Sequence, residues 1–484
     1  MSILPQSEAL KRRTVTILGL LTSASLLAAC ATVPNLGAAP QPKAAATLAS
    51  TRSFQAPAAA WPADRWWTAY GDAQLDGLID EALAGSPDLA AAQARLHKAE
   101  AAQSIARASL LPTVGAQAAA VETKQSYNAG IPPAFVPHGW NSAGQVSLNF
   151  DYEFDFWGKN RSAVAAASSE TRAAEADAAE ARLALSTAVA AAYADLVRLY
   201  AERDVAQRST EVRGQTVSLV SDRVTNGADT QAELSQAQAQ AATARADLQA
   251  TDEQIALTKN RIAALLGEGP DRALTIARPA TPALSPFGLP STISADLVGR
   301  RPDLTAARWR AEAASRRIGV AKAQFYPNVN LAAAIGYQSL GISNLFLSGS
   351  STGQAGPAIS LPIFQGGRLQ AGFKGARADY DEAVASYDGV LTQALQQVAD
   401  AATSRRALDG RLAQSREALA DNETAYALAL QRYRGGLSNY QSVLLVEDSL
   451  LQSRRTVADL QSRAVALDVQ LIKALGGGYA AAAA

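Results

Sequence analysis

A chain of 484 residues with 44 basic and 44 acidic side chains has no formal net charge, which argues against nucleic acid as a partner. Its single cysteine excludes intramolecular disulfides and cysteine-based metal sites. Aromatic residues make up only 6% while alanine is abundant throughout, so large apolar side chains are too few for one thick core.

The N-terminus begins with Lys11-Arg12-Arg13, an apolar run over 14–29, and then Cys30. That run is shorter than the roughly 20 residues a spanning helix needs, so residues 1–29 read as a signal peptide. Leu27-Ala28-Ala29-Cys30 resembles a bacterial lipoprotein box. Cys30 is then the lipidation site, with a palmitate-type anchor, and becomes the first mature residue. Ala31 follows it where inner-membrane retention uses Asp, which points to the outer membrane. Residues 30–70 are expected to be a lipid-anchored, extended segment.

Ser86 reads as a helix N-cap, with Pro87 at the first helical position and Asp88 at the positive helix end. That helix is expected to stop near Leu111, before Pro112. Strands are predicted at about 113–125 and 143–156. From 158 to 226 there is no proline, and Gly214 is the only internal glycine. A helix of that length spans roughly 100 Å. After the Asn226-Gly227 turn a second run, 229–266, returns, and 268–291 reads as a linker. Pro302 and Asp303 open the next helix, which stops at Pro327. Strands at about 328–338 and 355–364, a helix over 368–434, the Gly435-Gly436 turn and a helix over 437–475 follow. Residues 477–484 read as a disordered tail. Beyond the N-terminus no segment is expected to approach a spanning helix.

The chain repeats itself. Ser86-Pro87-Asp88-Leu89 recurs as Arg301-Pro302-Asp303-Leu304, and the stretch ending at Pro112 recurs as the one ending at Pro327, both at an offset of 215. Gly227 answers Gly436, and Gly267 answers Gly476, both at 209. Two structural repeats, 71–267 and 292–476, are therefore expected, each too long for a solenoid unit. Ala, Gln, Arg and Asp fall on nearly every face of the long helices. A wall one helix thick, wet on both sides, suits that composition, because each helix then buries two lateral stripes.

The strands separate this reading from a solvated coiled-coil rod. Over 145–156, Val146, Leu148, Phe150, Tyr152, Phe154 and Phe156 alternate with Gln145, Ser147, Asn149, Asp151, Glu153 and Asp155. Transmembrane strands need about 9–11 residues of this dyad pattern. Phe150, Tyr152 and Phe154 are expected to face lipid; Asn149, Asp151, Glu153 and Asp155 are expected to face a lumen. In 355–364, Ile359, Leu361 and Ile363 share a face, though Pro357 and Pro362 weaken that strand. Four spanning strands cannot close a barrel whose smallest examples have eight, and open edges cannot face lipid, so the chain must oligomerise. The fold class is mainly α with a membrane β-barrel.

The stretches 300–337, 155–167 and 361–387 resemble the hallmark segments of the TolC/NodT-like outer-membrane efflux lipoproteins, over nearly the whole mature chain. The resemblance implies a homotrimer with a 12-stranded barrel and a periplasmic α-helical tunnel. It also implies a periplasmic adaptor protein and an inner-membrane pump of the RND type. Its periplasmic gate maps to the hairpin tips at Gly227 and Gly436, where Tyr433 and Glu233 match residues that tether neighbouring hairpins. The family's acidic aperture ring departs here: the matching position is Leu445, with Ser442 a turn earlier, and Glu447 or Asp448 as substitutes. Asp222, Arg223, Arg432 and Arg434 are further candidates for ion pairs at the tips.

No enzyme chemistry is legible. His97 and His138 have no partner at metal-ligand spacing, and no metal or other cofactor is expected. Gly349-Ser350-Ser351-Thr352-Gly353 fits a nucleophile-elbow pattern but lies in a Gly/Ser loop between strands. Gly267-Glu268-Gly269-Pro270 closes a helix without the lysine of a phosphate loop. The expected function is an outer-membrane channel, the passive exit duct of a tripartite pump for small molecules such as drugs. Two alternatives stay open: secretion of protein or oligosaccharide through the same duct, and a periplasmic, lipid-anchored coiled-coil scaffold.

Overall fold

The computed structural model describes residues 32–280 and 287–481. Cys30 and the signal peptide lie outside the described residues. The chain divides into two compact units. One takes the residues up to Gln41, His97–Arg172 and Arg308–Ser386; the other takes Pro42–Leu96, Ala173–Ala307 and the chain from Tyr387 onward.

The first unit holds a four-stranded sheet of β1 (Thr113–Thr123), β2 (Asn141–Phe154), β3 (Asn328–Leu340) and β4 (Ser351–Ser360), in the order β1-β2-β3-β4. All three pairings are antiparallel, so residues directly opposite share a face. Val114 faces Phe150, which faces Ala333, which faces Ala355. Two residues along, Leu148 is flanked by Ala116 and Ile335, and Tyr152 by Leu331, itself opposite Pro357. The register thus collects the apolar positions of every strand into one continuous face. The opposite face carries Asn149, Asp151 and Glu153 beside small partners such as Gly115, Ala334 and Ala332.

Every strand shifts by a few residues from the sequence expectation, and in two of them the shift reassigns named residues. β2 stops at Phe154, leaving Asp155 and Phe156 beyond it. The Asp155 carboxylate instead accepts the N–H groups of Asn160 (3.1 Å) and Arg161 (2.8 Å), capping the next helix. Asp155 is therefore a capping residue and not a strand residue. β4 lies upstream of its expected place, and Leu361 and Ile363 fall outside it. Pairing decides this: the turn after β3 closes with Gln338 N–H donating to Ser350 O at 2.8 Å, which lays 351–360 along β3. Pro357 is tolerated because β4 is an edge strand, and Pro362 is excluded.

The helices are α1 (Ala73–Gly85), α2 (Pro87–Ala108), α3 (Lys159–Thr225), α4 (Gln231–Leu266), α5 (Asp271–Leu274), α6 (Ile293–Arg300), α7 (Pro302–Ala323), α8 (Arg368–Arg434) and α9 (Tyr440–Ala474). The long hairpins α3–α4 and α8–α9 turn at glycines with left-handed backbone, Gly227 (φ 72°) and Gly436 (φ 71°). At each, a bond from the residue after the glycine closes the preceding helix: Ala228 N–H to Arg223 O, and Leu437 N–H to Arg432 O, both 2.8 Å. One stretch of α3 is long and apolar enough to cross a membrane, contrary to the sequence expectation, but most of it is buried within the protein as a core helix would be.

In the second unit, Trp66, Trp67 and Tyr70 pack with α1 and the middle of α3 into one core cluster, which includes Leu78, Ile79, Val189 and Leu196. A second cluster gathers α6, the start of α7 and facing stretches of α8 and α9 around Leu297, Leu304, Leu391 and Leu475. A third lies at the hairpin tips. In the first unit, Val33 and Leu36 pack on Phe325, Leu369 and Phe373, and Arg377 donates to the carbonyls of Gly37 (3.3 Å) and Ala38 (2.6 Å).

Candidate functional site: the hairpin tips and the two-faced sheet

At the tips the glycine turns bring the last turns of α3 and α8 beside the first turns of α4 and α9. Tyr433 is completely buried there, packed with Val220, Ala237, Tyr440, Val443 and Leu444. Its hydroxyl donates to Asp229 Oδ2. Arg223 holds the same carboxylate from the other side, Nε to Oδ2 at 2.9 Å and Nη2 to Oδ1 at 3.1 Å. Arg223 also donates through Nη1 to Tyr433 O (3.1 Å), and its guanidinium lies 4.5 Å from the centre of the Tyr433 ring. One carboxylate of the first hairpin thus binds a phenol of the second, and one guanidinium clamps both.

Burial, reinforced by Asp229, pushes the Tyr433 phenol well above its ordinary range. Burial alone raises the Asp229 carboxyl, yet the bonds from Arg223 and Tyr433 outweigh it and hold the group below the usual carboxylate range. The cluster is therefore a neutral phenol donating to a carboxylate that stays charged.

Glu233, expected to tether Tyr433, does something else in the chain. It completes a capping box: Thr230 N–H donates to Glu233 Oε2 at 2.7 Å, and Glu233 N–H to Thr230 Oγ1 at 3.4 Å. The carboxylate that Tyr433 meets is Asp229, which the sequence reading passed over. A local signal existed, an acid between the glycine turn and the capping threonine, but pairing with a residue 204 positions away is a tertiary fact.

The proposed substitutes in the acidic ring divide. Leu445 is exposed, and Ser442 is bonded to the capping Asn439. Glu447 is only 1% exposed, bound by Arg213 Nε at 3.2 Å, so its carboxylate cannot line an aperture. Arg213 also reaches Asp448 Oδ1 (2.6 Å) and the side chain of Gln240 (2.7 Å). Of the other charged tip candidates, Arg432 and Arg434 are exposed, and only Arg223 is drawn into the cluster.

On the sheet, Asn149 and Asp151 are exposed on the polar face, while Glu153 is paired with Lys159 at 2.6 Å. Tyr152, Phe154 and Phe156 form a run of ring contacts with centroids 5.1 and 5.7 Å apart. Beside them Trp157 stacks on Tyr326 (4.6 Å), and its indole N–H donates to Pro327 O (2.8 Å). His97 contacts Glu100, and His138 packs against Tyr127. Among the described residues no group of three or more His, Cys, Asp or Glu side chains is placed to hold a metal.

The sequence pattern of the outer membrane efflux protein family matches residues 78–268 and 294–477. The fusaric acid resistance protein FusA of Burkholderia cepacia is 36% identical over 328 residues, which cover 66% of this chain and 61% of that protein. The multidrug resistance outer membrane protein MdtP of Escherichia coli strain CFT073 is 30% identical over 470 residues, 96% of each chain. The crystal structure of the outer membrane protein VceC from Vibrio cholerae superposes with a TM-score of 0.82 at 48% identity, covering 86% of this chain and 100% of that one. Family pattern, full-length relative and superposed structure agree: the chain belongs to the outer membrane efflux protein family, and its place is the bacterial outer membrane.

Proposed function

We propose that three copies of this chain form a 12-stranded barrel continued by a helical tunnel, the passive exit duct of a tripartite pump for small molecules such as drugs. The observation that carries this reading is the sheet. Its register puts one apolar and one polar face on four strands, and β1 and β4 leave two open edges. Unpaired backbone at an edge is unsatisfied in lipid, and pairing β4 of one copy with β1 of the next removes every edge. The apolar side, with Phe150, Tyr152 and Phe154, then faces lipid, and Asn149, Asp151 and Glu153 face the lumen. Internal duplication supplies the two strand pairs: α2 and α7 each have 22 residues, α3 and α8 each 67, and α4 and α9 have 36 and 35.

In this reading Cys30 carries the lipid anchor, and the tips at Gly227 and Gly436 meet a periplasmic adaptor, which links the duct to an RND-type inner-membrane pump. The Arg223–Asp229–Tyr433 cluster holds the tip closed, with Glu233 shaping the start of α4. Light scattering on the detergent-extracted particle tests the assembly. A protein mass of about three chains is expected; a monomer that stays soluble without detergent would refute the duct and favour the scaffold.

A further inference from the structure

In the second unit, most of residues 59–70 (Trp61, Asp64 and Trp67 excepted), with Phe287, Gly288 and the end of α9, line a half-open cavity of about 310 Å³. Its walls are mostly apolar: Trp66 and Tyr70, their rings edge-on at 6.1 Å, and Leu471, Ile472 and Leu475. One carboxylate, Asp468, opens into it. Tyr70 Oη, a neutral donor, donates to Asp468 Oδ2 at 2.6 Å and does not balance its charge, while burial raises the carboxyl above its ordinary value against the opposing effects of Tyr70 and Arg405. The neighbouring cations are committed elsewhere. Arg65 borders the cavity but pairs with Asp80 at 2.5 Å, and Arg405, whose field reaches Asp468, pairs with Asp409 at 2.5 Å.

A half-enclosed aromatic hollow with one carboxylate that forms no ion pair among the described residues selects a particular chemistry. Ring faces and an anion both attract an organic ammonium, while the aliphatic wall takes an apolar tail. A phosphate or carboxylate would meet Asp468 as a like charge. We propose that this cavity is a binding site for a small amphipathic cation, an aryl- or alkyl-ammonium. It lies at the opposite end of α9 from Tyr440 and depends on neither the gate nor the trimer reading.

The test uses the intact protein in lipid nanodiscs, with benzyltrimethylammonium as probe and uncharged benzyl alcohol as control, read by saturation-transfer NMR titration. Saturable binding of the cation is expected. Asp468→Asn, which keeps an acceptor for Tyr70, should weaken it about tenfold, the loss of one charge contact, and leave benzyl alcohol unchanged. Asp468→Glu should restore binding. Ala69→Phe, a change at an exposed wall position, should abolish it by filling the space. If Asp468→Asn fails to assemble, Ala69→Phe decides the matter alone. Absence of saturable binding, equal affinity in Asp468→Asn, or indifference to Ala69→Phe would overturn the proposal.

Discussion

Removing the Tyr433 hydroxyl is the most direct perturbation of the tip. Tyr433→Phe keeps the buried ring and its contact with Tyr440, 6.1 Å between centroids, and deletes only the bond to Asp229. A hydrogen bond to a charged group contributes roughly 1.5–3 kcal/mol. Asp229 retains both bonds from Arg223, so the lower end, about 1.5 kcal/mol, applies. If that bond exists only in the closed tip, its loss multiplies the open population about tenfold. Arg223→Gln should act more strongly, because it strands a buried carboxylate, a change of about 3–5 kcal/mol. Planar-bilayer conductance gives the readout, with a double-mutant cycle between Tyr433→Phe and Asp229→Asn to isolate the pair. A coupling energy near zero, together with unchanged conductance in both single variants, would refute the tether.

Four further outcomes test other parts of the structure. Glu233→Ala should lower helix stability by about 1 kcal/mol through loss of the capping box, seen as faster amide exchange at the start of α4, while leaving the Tyr433–Asp229 bond intact. On β2, Leu148→Arg places a charge on the apolar face and should block membrane assembly, at a cost of about 2–4 kcal/mol near the bilayer centre. Its neighbour Asn149→Arg should assemble and move the reversal potential towards anions; equal assembly of the two would contradict the face assignment. Likewise Asp151→Lys should change ion selectivity, whereas Asp155→Lys should chiefly destabilise the start of α3, read as a lower melting temperature. Finally, burial, with help from Asp303, pushes Glu180 up to about 7. Its native value lies above the unfolded one, so folding takes up a proton and stability should rise as pH falls through 7 towards the unfolded value of about 4.3. Glu180→Gln should flatten denaturant-midpoint profiles across that window; an unaltered slope would exclude this carboxyl as the source.

Much of the fold was legible because long-range order here rests on local signals. The absence of proline and the terminal glycines delimited α3, α4, α8 and α9 to within a few residues, since a helix without internal proline continues until the backbone must turn left-handed at Gly227 or Gly436. The period-two pattern of β2 was equally plain. β1 carries little alternation, because Gly115 and four alanines interrupt it; it forms because β2 provides a partner.

The sequence by itself therefore determined the long helices, the strand regions, their order and the two-faced character of β2, all of which follow from backbone sterics and from side-chain periodicity along one segment, while the short helices α1, α5 and α6 were not read from it. Only the tertiary structure decided where β4 begins, that Asp155 caps a helix, that Glu447 is buried against Arg213, and that Asp229 rather than Glu233 binds Tyr433. The last two depend on which distant charge a residue meets, whereas Asp155 meets backbone five and six residues on and β4 is laid down by the turn that follows β3. A carboxylate near a turn has several partners within reach of its own segment, and packing across hairpins hundreds of residues apart selects among them.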